Sequence, residues 1–317
     1  MADAAHASNL AADAARVTEL AAIASYGQIG RGDEKHADQL AVDAMRTALN
    51  TLDIDGKIVI GEGERDEAPM LYIGEKVGTG NGRAIDIALD PLEGTTLTAK
   101  AMANALCVLA MSPGGGMLHA PDTYMDKIAI GPGYPAGTVD LDVSPQDNVR
   151  ALARAKGVEQ DQITVCVMDR PRHAELIAAL REVGAKVVLI TDGDVAGVIH
   201  TTQPETGIDM YLGSGGAPEG VLAAAALKCV GGHFQGRLIF RNDEERARAA
   251  RTGVTDFDRK YDLHELVSKE AVFAATGVTK GALLDGVQMG KGWVSTHTLV
   301  MDSSDGTVRR IRTIRRV

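Results

Sequence analysis

The segment Asp90-Pro91-Leu92-Glu93-Gly94-Thr95-Thr96 follows the apolar run Ile85-Asp86-Ile87-Ala88-Leu89. Its types and order suggest two carboxylates on a tight turn leaving a buried strand, with a hydroxyl one residue beyond a glycine. Paired acidic oxygens at a strand end suit a hard divalent cation such as Mg²⁺ or Mn²⁺. A threonine hydroxyl beside such an ion can position water for attack on phosphorus. The segment reads as a device for cleaving a phosphate ester. An ordinary turn that binds nothing can have the same residues, so the rest of the chain must weigh in.

Further carboxylates qualify as cation ligands. Glu62 follows a strand and is framed by Gly61 and Gly63, which let the backbone bend closely around an ion. Glu219 follows Gly213-Ser214-Gly215-Gly216-Ala217-Pro218 and opens a helix, and Asp38 lies about one turn into another helix. Glu64, Glu67 and Asp33 read instead as solvated acidic residues or a helix cap. For phosphate there are two candidates. The glycines 213–216 would offer free backbone N–H groups at a helix N-terminus. Arg170-Pro171-Arg172-His173 stands at the C-terminal end of an expected strand, where ligands gather in open α/β sheets, and an arginine pair can grip a phosphate bidentately. Asp192-Gly193-Asp194 suits sugar hydroxyls, or a plain turn. Gly131-Pro132-Gly133-Tyr134-Pro135-Ala136 matches a dinucleotide-binding spacing, but its prolines deny the strand–turn–helix context. The eight histidines have no zinc spacing.

The elements that must position these groups follow from periodicity. Apolar residues from about Asn9 to Ser25 recur at helical spacing, and Asp33 is a suitable N-cap for a second helix through Leu49. Lys57–Ile60, Ile85–Leu89 and Leu106–Met111 read as strands. The turn-rich Gly131–Gly137 suggests a boundary between a metal-binding part, 1–138, and a substrate-binding part, 139–317, packed as one unit. Strands at Ile163–Met168, Lys186–Ile190 and Ile208–Leu212 alternate with helices at Arg172–Val183 and Pro218–Val230, a rhythm that implies a sheet covered by helices. Trp293–Val300 and Thr307–Ile314 around Asp305-Gly306 read as a β-hairpin. The expected class is α/β, with an α+β first half and an α/β second half.

Composition narrows the function. The chain has 317 residues, 45% of them apolar and 24% charged, with a net charge of −10 and 3% aromatics. That argues against a nucleic-acid binder, which needs a basic face. An anionic substrate must then be held by local cations, since the global field repels it. Cys107, Cys166 and Cys229 sit in apolar stretches without pairing, as reduced thiols of a cytoplasmic protein do. Neither a signal peptide nor a membrane-spanning run of ~20 apolar residues is expected.

Taken in order, several segments resemble the class II fructose-1,6-bisphosphatase family, the bacterial type that includes bifunctional fructose/sedoheptulose bisphosphatases. They include Gly30-Arg31-Gly32-Asp33, Ala37-Asp38, Ile58-Val59-Ile60-Gly61-Glu62-Gly63-Glu64 and Asp66-Glu67-Ala68-Pro69-Met70. The likeness continues through Asp90–Thr95, Tyr124-Met125, Pro171-Arg172-His173, Asp192-Gly193-Asp194 and Gly215-Gly216-Ala217-Pro218-Glu219-Gly220, and spans nearly the whole chain. It implies a layered αβαβα fold of the lithium-sensitive phosphatase type. It also implies metal ligands Asp38, Glu62, Asp90, Glu93 and Glu219 for two or more Mg²⁺ or Mn²⁺ ions. Implied substrate contacts are Glu93, Gly94, Thr95, Tyr124, Arg170, Pro171, Arg172, Asp192, Gly193, Asp194 and Gly216, with Thr95 and Asp66 serving the attacking water. Where the family often has lysine after Gly-Asp, this chain has Glu34 and then Lys35. Arg170 stands where a lysine can occur, and residues 241–262 match weakly.

The activity implied is removal of the 1-phosphate of fructose 1,6-bisphosphate, in gluconeogenesis or the Calvin cycle, by a cytoplasmic homodimer or homotetramer without nucleic-acid or membrane partners. Sedoheptulose 1,7-bisphosphate, alone or as a second substrate, is the alternative. An inositol or nucleotide phosphatase, and a non-catalytic sugar-phosphate sensor, stand further off, because a sensor has no need of a water-positioning threonine.

Overall fold

The structure, a computed structural model, describes residues 3–61 and 71–317. In chain order the elements are α1 (Asp3–Tyr26), α2 (Glu34–Leu49), β1 (Ile54–Ile60), β2 (Lys76–Val77), β3 (Arg83–Glu93), α3 (Thr95–Ala99), β4 (Leu106–Pro113), β5 (Tyr124–Ile130) and α4 (Pro145–Lys156). They continue with β6 (Thr164–Met168), α5 (Ala174–Glu182), β7 (Lys186–Ile190), α6 (Asp194–His200), β8 (Met210–Gly216), α7 (Ala217–Val230), β9 (His233–Ile239), α8 (Asp243–Arg251), β10 (Lys260–Asp262) and α9 (Leu263–Leu266). The last are β11 (Val272–Gly277), β12 (Gln288–Gly290), β13 (Trp293–Asp302) and β14 (Thr307–Arg316). This is a mixed α/β protein, as the sequence pattern implies.

The chain forms two compact units, 1–118 with 267–317, and 119–266. The glycine–proline stretch 131–137 thus falls inside the second unit, and the C-terminal hairpin belongs to the first. In the first unit the sheet order is β12-β13-β11-β4-β3-β1-β2, with β14 added on β13. Only β1 and β3 run parallel among these pairs. Helix α2 starts where Asp33 accepts the His36 N–H at 3.0 Å, the cap its sequence promised. It buries the stripe Ala37, Ala41, Val42, Met45, Ala48 and Leu49. Helix α1 packs an alanine-rich face, with Ala14, Val17, Ala21 and Ala22 buried, against β11, β13 and β4. Small side chains let helix and sheet approach, and a buried hydroxyl chain joins them. Thr18 Oγ1 lies 2.8 Å from Thr276 Oγ1, which lies 2.8 Å from Thr298 Oγ1.

In the second unit the order is β10-β9-β5-β8-β6-β7. Here β6 is parallel to β7 and β8, while β5 is antiparallel to β8 and β9. Helix α7 carries Pro218 in its first turn and ends at Gly231, whose φ of +71° needs a residue without a side chain. The sequence pattern is too short for β5. Asp126 and Lys127 interrupt its apolar alternation, yet Lys127 is only 1% exposed. The helix expected from Arg172 starts as a 3-10 turn, Pro171–His173, before α5. No helix of the described residues is long and apolar enough to cross a membrane.

Thr276→Val keeps the shape but removes the central hydroxyl of the buried chain. We expect a loss of about 1–2 kcal/mol, the cost of a buried polar group left without its bond. Denaturant unfolding checks it; an unchanged midpoint would show that the chain contributes nothing.

Candidate active site

In the first unit the Asp90–Glu93 segment is not a turn leaving β3 but its last part. The strand runs through Glu93, and its register against β4 slips by one residue between Asp90↔Val108 and Glu93↔Leu106. This bulge takes up Pro91, which has no N–H to give the ladder. Asp90 Oδ1 accepts the Leu92 N–H at 3.0 Å, which fixes that carboxylate's orientation. The strand ends at Gly94, where φ is +88° and a Cβ would lie 2.7 Å from Leu97 Cδ1. Glycine is required there on both counts. The chain then turns into α3, so Thr95 opens the helix half-buried.

The same helix end positions α2. Gly30 N–H donates to Thr98 O at 2.9 Å and Gly32 N–H to Ala99 O at 3.0 Å, which docks the segment before Asp33. Asp38 follows one turn in, and Lys35 is exposed. Desolvation raises the Asp38 carboxyl to about 6. Cys107, on β4 between the partners of Glu93 and Asp90, feels both Asp90 and Asp38. Burial first, then those two charges, push its thiol well above the ordinary range, while the Ser25 hydroxyl pulls it down. Asp38 and Asp90 therefore share one neighbourhood. A Cβ on Gly61, the residue after β1, would lie 2.1 Å from Leu71 O, so the exit of β1 and Leu71 touch. Glu62 and Asp66 lie outside the described residues. Among the described residues no three His, Cys, Asp or Glu side chains are grouped closely enough to hold a metal ion.

In the second unit Ser214 is the hub. Arg172 donates from Nε to Ser214 Oγ at 3.0 Å and from Nη2 to Ser214 O at 2.7 Å. His173 Nδ1 bonds Met168 O at 2.8 Å, and its Nε2 accepts the Ser214 N–H at 2.9 Å. A carbonyl can only accept and an N–H only donate, so the ring is the neutral Nδ1–H tautomer. Desolvation, which lowers its pKa, agrees. Guanidinium groups of Arg172 and Arg241 lie 5.0 and 5.1 Å from the Tyr124 ring centroid. Arg241 is held in turn by buried Glu245, its Nε 2.7 Å from Oε1. Cationic groups this close to a phenol favour its ring face. Arg170 is half-buried and donates to Asp169 O at 3.2 Å.

The glycines 213–216 are not a free turn. They form the end of β8, paired from Gly216↔Tyr124 to Gly213↔Lys127. The Ala217 N–H donates to Thr123 O at 2.8 Å and the Ser214 N–H to His173 Nε2 at 2.9 Å. The glycines' lack of side chains matters here, since a Cβ on Gly216 would sit 1.9 Å from Glu219 Oε2. Glu219 Oε2 is sealed from solvent without a hydrogen-bond partner. Burial first, then Asp194, raise its carboxyl, and Lys127 opposes them. An orphaned buried carboxylate oxygen is a good fit for a hard cation. Asp192 Oδ1 accepts the Gly193 N–H at 3.2 Å, and Asp194 is buried against Lys127 at 2.5 Å. Sequence reasoning missed Lys127, Arg241 and Glu245. The Arg241–Glu245 spacing and the Asn242 cap were readable as a helix start, but no short-range signal joined Arg241 to Tyr124.

Two α/β units bearing desolvated carboxylates, a threonine at a strand break and arginines around a tyrosine define a phosphate-handling protein. Residues 8–315 match the family described as bacterial fructose-1,6-bisphosphatase, glpX-encoded, and the chain belongs to it. It is 46% identical over 319 aligned positions to fructose-1,6-bisphosphatase 1 class 2 of Escherichia coli (strain K12), covering 96% of this chain and 94% of that one. The same figures hold for fructose-1,6-bisphosphatase class 2 of Shigella flexneri. The family's activity makes the chain an enzyme, a phosphoric monoester hydrolase acting on fructose 1,6-bisphosphate.

The Asp38 carboxyl, raised from 3.8 to about 6, contributes stability that is full below pH 3.8 and lost as pH rises through about 6. Asp38→Asn should therefore stabilise the EDTA-treated protein at pH 8 by roughly 1–2 kcal/mol, after discounting for partial exposure. Thermal unfolding at pH 8 and pH 4 checks it. The gain should vanish at pH 4, and a gain equal at both would refute desolvation as the cause.

Proposed function

We propose that this chain removes the 1-phosphate of fructose 1,6-bisphosphate through the carboxylate and threonine constellation at the end of β3. The cation ligands of this reading are Asp38, Glu62, Asp90, Glu93 and Glu219, for two or more Mg²⁺ or Mn²⁺ ions. Bound there, such ions supply charge neutralisation on the phosphoryl oxygens. Thr95 orients the attacking water, Asp66 assists by accepting its proton, and Glu93 and Gly94 meet the scissile phosphate. Tyr124, the arginines at 170 and 172 flanking Pro171, Asp192, Gly193 and the Gly216 backbone bind the sugar and its distal phosphate. Asp194 belongs to the same segment, with its Oδ2 engaged by Lys127. The observation that carries this reading is the left-handed break at Gly94, which ends the strand bearing Asp90 and Glu93 and begins a helix with Thr95. A homodimer or homotetramer in the cytoplasm completes the proposal, supported by the family likeness and three free, buried cysteines.

The test is phosphate release from fructose 1,6-bisphosphate and sedoheptulose 1,7-bisphosphate with Mg²⁺, Mn²⁺ or EDTA. Metal-dependent release that stops at one phosphate per sugar is expected from the first, and the rate ratio decides whether the second is also a substrate. Thr95→Ala should lower kcat by about a hundredfold or more, as loss of a group that orients the nucleophile does, with an unchanged circular dichroism spectrum. Near wild-type turnover in that variant would remove Thr95 from the reaction.

A further inference from the structure

Lys127 is one of the largest fully buried side chains of the chain, 1% exposed in the middle of β5. A lysine at such a position needs a partner. Its Nζ lies 2.5 Å from Oδ2 of Asp194, the first residue of α6 and itself 6% exposed. Glycines make room for this pair. A Cβ on Gly215 would fall 1.9 Å from Asp194 Oδ2 and 3.2 Å from Lys127 Nζ, and one on Gly220 would fall 3.3 Å from Lys127 Cε. Glu219, in the first turn of α7, has its Oε2 sealed from solvent without a partner and feels the charges of both Asp194 and Lys127. Two carboxylates and one ammonium thus lie near one another at the β8–α7 junction, and Lys127 answers Asp194 while Glu219 Oε2 is left over.

We infer that Lys127 and Asp194 are positioning residues that together set how tightly Glu219 binds a divalent cation. This rests on the reading of Glu219 as a cation ligand. Lys127 fixes Asp194, so that this carboxylate does not become a second ligand, and its charge offsets the extra negative potential Asp194 adds. The three groups then offer a cation one net negative charge. The physical reason is that charges a few ångströms apart and shielded from water interact strongly. Changing either member of the pair must shift affinity by the sign of the charge removed.

The measurement is Mn²⁺ binding, by the electron paramagnetic resonance signal of the free ion, on full-length protein without substrate at one fixed pH. Asp194→Asn should weaken the affected Mn²⁺ site roughly tenfold, and Lys127→Met should tighten it by a similar factor, the scale for a unit charge at partly shielded distance. The double variant removes one charge of each sign and should return to within a few fold of wild type. It also covers the case in which Lys127→Met alone does not fold, because restoration of affinity relative to Asp194→Asn decides the question without it. A merely structural pair would weaken binding in every variant, most of all in the double, and that pattern overturns the inference. Glu219→Gln separates the two readings. If it leaves Mn²⁺ binding unchanged, Glu219 is not a ligand. If it weakens binding while the Lys127 and Asp194 variants do not move it, the ligand reading stands and the tuning does not.

Discussion

Keeping carboxylates away from water is the constraint that organises this protein. An ionised acid loses its hydration when buried and regains free energy only through a cation or several donors. The chain places Asp38 and Glu219 where desolvation raises both carboxyls, while Asp194, near Glu219, is paired with Lys127. A fold selected for stability alone would have paired or removed the others. On the proposed reading these oxygens are held for a cation, which accounts for that cost.

The backbone devices around these acids serve the same end. A proline inside β3 forces a bulge, and the left-handed Gly94 stops the strand and begins a helix, so acid and hydroxyl follow each other within three residues. At β8 the glycines matter as absent side chains. Carboxylates of Asp194 and Glu219 occupy the space that a Cβ on Gly215 or Gly216 would take. At β8 glycine lets a charged group pack against the main chain, and at Gly94 it admits the left-handed turn over Leu97.

Around Ser214 the second unit builds rigidity from neutral and cationic donors. His173 ties the end of β6 to β8 with both ring nitrogens, and Arg172 grips the hydroxyl and carbonyl of the same serine. An arginine so held loses little freedom when an anion arrives, which favours tight and oriented binding. Tyr124, between Arg172 and Arg241, adds a polarisable surface to the same cationic region.

Local pattern settled much on its own. Asp33 as a cap, the apolar stripe of α2, strands β3, β4, β6 and β7, the proline-started α7 and the C-terminal hairpin all follow from spacing and short-range chemistry. The order of the acidic and glycine motifs was enough to place the chain in its family. What the sequence could not decide depended on partners far along the chain. Strand β5 was hidden because a buried lysine looks like an exposed one until Asp194, 67 positions away, is seen to pair with it. The glycines of 213–216 read as a turn because their strand character comes from pairing with β5. Arg241 carried no signal because its meaning lies in Tyr124, more than a hundred positions earlier. Charge and hydrogen-bonding capacity are written in residue types, but whether a group is solvated or answered is set only when the chain closes on itself.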